Sequence, residues 1–87
     1  MRASKVLHWA DELRALLRDD ALPSIGIVDV GMGSRLTFEL AVRITLADLA
    51  RLTHLKDAGH AVAASRWQQL AEDIERLHRM AFAEPPP

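Results

Sequence analysis

Glu75 and His78 stand three positions apart in the run Glu75-Arg76-Leu77-His78. On a helix that spacing aims a carboxylate and an imidazole at one point, and di-iron bundle sites are built from two such pairs plus two further glutamates. No glutamate of this chain falls on an inward-facing position, so the pair is predicted to be metal-free. His78 then takes the edge of an apolar stripe, with its polar nitrogen in water, and His60 falls on the same edge. His8 and Glu12, four apart, are two ligands without a third, and His54 is expected to be solvated. The chain has no cysteine, which removes disulfides, thiolate metal sites and thiol nucleophiles together. Ser34 follows a glycine turn with no histidine placed beside it, which is not the strand-to-helix elbow that exposes a catalytic serine. The expectation is a protein with no catalytic residue, no cofactor and no metal.

One stretch argues otherwise at first sight. Residues 27–34, IVDVGMGS, resemble the glycine motif of methyltransferases, in which a buried strand runs through an acidic residue into a G-x-G turn. That resemblance would imply S-adenosylmethionine as cofactor. A nucleotide-binding turn needs a helix directly after it, whose free N–H groups meet the ligand, and a parallel sheet beneath it. Here the residues after GMGS alternate as a strand, Leu36 occupies the third glycine position, and 87 residues are too few for the sheet. The resemblance covers eight residues, and its context does not support it. Gly31-Met32-Gly33 is predicted to be a hairpin loop.

The elements that would position these residues follow from periodicity. Val6, Trp9, Ala10, Leu13, Leu16 and Leu17 form one helical stripe over residues 4–20, with Ser4 as N-cap and Pro23 beyond its end. Residues 24–30 and 34–45 read as two strands. In the second, Leu36, Phe38, Leu40, Val42 and Ile44 alternate with Arg35, Thr37, Glu39, Ala41 and Arg43. A three-residue loop sets Val28 opposite Leu36, Gly26 opposite Phe38 and Asp29 opposite Arg35, keeping the apolar sets on one face. Thr45 is read as the N-cap of a second helix, with Asp48 three residues on and Leu46, Leu49, Leu52 and Leu55 spread around it, ending near Gly59. Over residues 60–83, Ala63, Trp67, Leu70, Ile74, Leu77 and Ala81 form a lengthwise seam, with Glu72–Arg76 and Glu75–Arg79 outside it. Both tryptophans are placed in the core.

These readings predict an α+β domain over residues 1–84, ordered helix, strand, strand, helix, helix, with a disordered proline tail at 85–87. The antiparallel hairpin would pack one face on the helices. Its outer face would present Ile25, Ile27, Arg35, Thr37, Ala41 and Arg43, an apolar patch with an unpaired strand end that calls for a partner.

Composition narrows the function classes. The formal net charge is −1, with both signs interspersed, so no global field draws the chain to nucleic acid or an anionic membrane. No apolar run approaches spanning length, and the N-terminal residues lack a signal-peptide core, so a cytoplasmic protein is expected. Absence of Asn and Tyr and preference for Arg over Lys fit high-GC bacterial or phage coding. The expected function is a small non-enzymatic interaction module, of the kind found among phage and mobile-element accessory proteins. It would be homodimeric and bind a protein partner. The alternative is a DNA-binding regulator with a degenerate helix-turn-helix over residues 45–66.

Overall fold

Apolar residues spaced three and four apart dominate the chain, and the computed structural model turns them into three helices. It describes residues 3–29 and 35–83. Helix α1 spans Ala3–Arg18, α2 Phe38–Asp57 and α3 Ala64–Ala81; strands β1 (Ile27–Asp29) and β2 (Arg35–Thr37) lie between α1 and α2. Val6, Ala10 and Leu13 of α1, Leu70, Ile74 and Leu77 of α3, and Phe38, Val42, Leu46, Leu49 and Leu52 of α2 share one core. Trp9, Leu16, Leu17, Leu55 and Trp67 flank it, half buried. The stripes expected for the first and last helices are the faces they bury, except that Ala63 is exposed ahead of α3 and the two tryptophans, expected in the core, are only half buried.

The expected α+β class is overturned: the fold is a small helical bundle. Only three residues a side remain extended, pairing Ile27 with Thr37, Val28 with Leu36 and Asp29 with Arg35. The last two pairs coincide with the register the sequence implied, but the glycine loop that would join them lies outside the described residues. Among the described residues this short pair of strands lies against α2 and not across the bundle. The segment 34–45 instead enters α2 at Phe38.

The physical reason is that this segment carries two periods. Besides alternating, Phe38, Ala41 and Val42, Thr45 and Leu46, Leu49 and Leu52 recur every three or four residues, all buried. No glycine or proline interrupts residues 34–58. Helix growth adds one backbone hydrogen bond per residue to an existing nucleus, whereas a two-stranded sheet is marginal by itself. Each large apolar side chain buried along the stripe contributes about 1.5–3 kcal/mol, which outweighs leaving Leu40 and Ile44 half exposed. Thr37 supplies the start: it is extended, and its Oγ1 accepts from the Leu40 N–H at 3.3 Å. Glu39 in the first turn adds a favourable charge at the positive end of the helix dipole.

Further corrections follow from this. Thr45 is not an N-cap but a buried residue within α2. Ser4 lies inside α1, and α3 starts at Ala64, four residues later than its pattern implied. The end near Gly59 is where the sequence placed it. There the Gly59 N–H donates to the Lys56 carbonyl and the His60 N–H to that of Leu55, a Schellman closure with Gly59 at φ +87°. Helix α1 ends the same way: Asp20 N–H donates to Leu17 and Ala21 N–H to Leu16, with Asp20 at φ +53°.

Helix α3 packs along both other helices, whereas α1 and α2 meet each other less extensively. Trp9 and Glu12 of α1 lie against His78, while Val6 and Leu7 lie near Leu70 and Ile74, so α1 and α3 run in the same direction. The arrangement leaves a furrow over α3 where α1 and α2 diverge.

Candidate functional site

That furrow is a concave feature of the described residues, open to solvent. It encloses about 840 Å³ between the first turns of α1, the C-terminal half of α2 and the first half of α3. Its apolar lining comes from Val6, Leu7, Leu49, Trp67, Leu70 and Ile74. Four of these are buried core residues. Leu7 is half exposed, and Trp67 is half buried. Its polar lining comes from Thr53, Lys56 and Asp57 of α2 and Gln68 and Glu72 of α3. The lining has the composition of a surface that excludes water.

A second feature joins α1 to α3 beside the furrow. His78 lies between Trp9 and Phe82, with ring centroids 5.6 Å and 4.5 Å away. Its Nε2 is 3.1 Å from Glu12 Oε1, and the exposed His8 Nε2 reaches the same oxygen at 3.2 Å. A carboxylate only accepts, so the His78 ring N–H donates to it. Lys5 lies 5.9 Å from the centre of the Trp9 ring. The sequence placed the His78 nitrogen in water; it is instead 18% exposed and bound to a residue 66 positions away. The Glu75 carboxylate that was set beside it turns to Arg79 at 2.8 Å. Both imidazoles converge on one oxygen rather than around a shared vacant point. Among the described residues no group of three or more histidines and carboxylates is arranged to hold a metal ion.

Of the six residues expected to form a partner-binding face, the structure describes the side chains of four. Ile25 packs against the core, and Thr37 caps α2. Ala41 is 1% exposed, facing the interior. Arg43, two residues on, faces solvent and lies 3.6 Å from Glu39. The side chains of Ile27 and Arg35 lie outside what the structure describes. Helix α2 also exposes Leu40 and Ile44, one turn apart.

The glycine stretch needs a similar correction. Its expected exclusion from cofactor binding leaned on a strand running to Thr45, whereas a helix begins at Phe38. Gly31, Met32, Gly33 and Ser34 lie outside the described residues. The pairing that borders them is antiparallel, unlike the parallel strands beneath a nucleotide-binding turn.

Compared with protein-family models, curated proteins and solved structures, this chain matches none. Sequence reasoning missed the furrow because Val6 and Trp67 each read as core on their own helix. Leu7 stood off the stripe and gave no signal. Among the described residues, no helix is long and apolar enough to cross a membrane.

Proposed function

We propose that the chain is a small non-enzymatic interaction module that acts by burying apolar surface against another protein, and that it is a homodimer. The observation that carries this reading is the furrow, an apolar concavity with the half-exposed Leu7 in its lining. Short chains gain from such burial, because a domain of this size hides only about 60% of its unfolded surface by itself. Helix grooves of this kind receive apolar side chains from a partner helix.

The helix-turn-helix alternative receives no matching support. Helix α2 runs unbroken to Asp57, through His54, where that motif requires its turn. Arg14, Arg43, Arg51, Arg76 and Arg79 each lie within 3.6 Å of a carboxylate on the same helix, which leaves them poorly placed to neutralise phosphates.

Sedimentation equilibrium across roughly micromolar concentrations tests the reading, since dimers of this interface size dissociate in or below that range. The expected species has twice the 9.7 kDa monomer mass. A monomer throughout would remove the homodimer from this reading.

A further inference from the structure

We draw no further inference here: the strongest candidate, the apolar furrow over α3 between α1 and α2 that Val6, Leu7, Leu49, Trp67, Leu70 and Ile74 line, belongs to the site already described, and nothing in the structure shows what covers it.

Discussion

His78 Nε2 and Glu12 Oε1 lie 3.1 Å apart, 66 positions apart in sequence, and they form a polar clasp between α1 and α3. Half burial strengthens the bond relative to an exposed pair, and the packing of Trp9 and Phe82 on the imidazole holds its ring in place. Removal of either partner should therefore be felt on both helices. Glu12→Ala and His78→Ala are each expected to cost about 1 kcal/mol, with a coupling of about 0.5–1 kcal/mol in the double-mutant cycle. His8→Ala, at an exposed site, should stay within about 0.5 kcal/mol. Urea denaturation of the set measures this, and additive effects would show that the clasp contributes nothing as a pair.

Ala41 and Ile44 exchange the roles that strand alternation assigned to them. Ala41 is 1% exposed and Ile44 is 45% exposed. Ala41→Glu would bury a carboxylate without a partner and should cost upwards of about 3 kcal/mol. Ile44→Glu should change stability by no more than about 0.5 kcal/mol. Thermal unfolding of the two variants separates helix from strand, because a strand in the alternating register demands the opposite order.

Asp20 and Gly59 occupy the same left-handed position in equivalent helix ends, and only one of them is suited to it. Asp20→Gly should stabilise the protein by about 0.5–1 kcal/mol, relieving a conformation that costs an L-residue energy. Gly59→Ala should destabilise it by about 1 kcal/mol. An added Cβ at Gly59 would meet nothing within 4 Å, so the whole effect is backbone conformation. Opposite shifts in melting temperature are the expected result.

Thr37 accepts the Leu40 N–H and so fixes where α2 begins. Thr37→Ala should cost about 1 kcal/mol, whereas Thr37→Ser or Thr37→Asp should retain most of the stability. Equal losses in all three variants, read by chemical denaturation, would mean that the hydroxyl does not act as a cap.

Two helix faces and one helix end were legible in the sequence, the fold class was not, and the boundary falls at particular residues. The stripe Val6, Ala10, Leu13 and the seam Leu70, Ile74, Leu77 are buried as their spacing implies. Each is a single period sustained over several turns with no competing pattern. The stop at Gly59 is local as well, because an αL closure depends only on the residue that occupies it. Residues 38–45 are different. Leu36 to Ile44 satisfy a strand and Phe38 to Leu52 satisfy a helix, and nothing within the segment ranks one above the other. Tertiary packing does: the helical stripe has α1 and α3 to bury it, whereas the strand has β1 for three residues. The furrow and the Glu12–His78 clasp lie further still from sequence. Each depends on the rotation and spacing of two helices relative to each other. Periodicity along one helix says which face is buried; it does not say how far its neighbours stand apart, and that separation is what opens the groove that Leu7 helps to line.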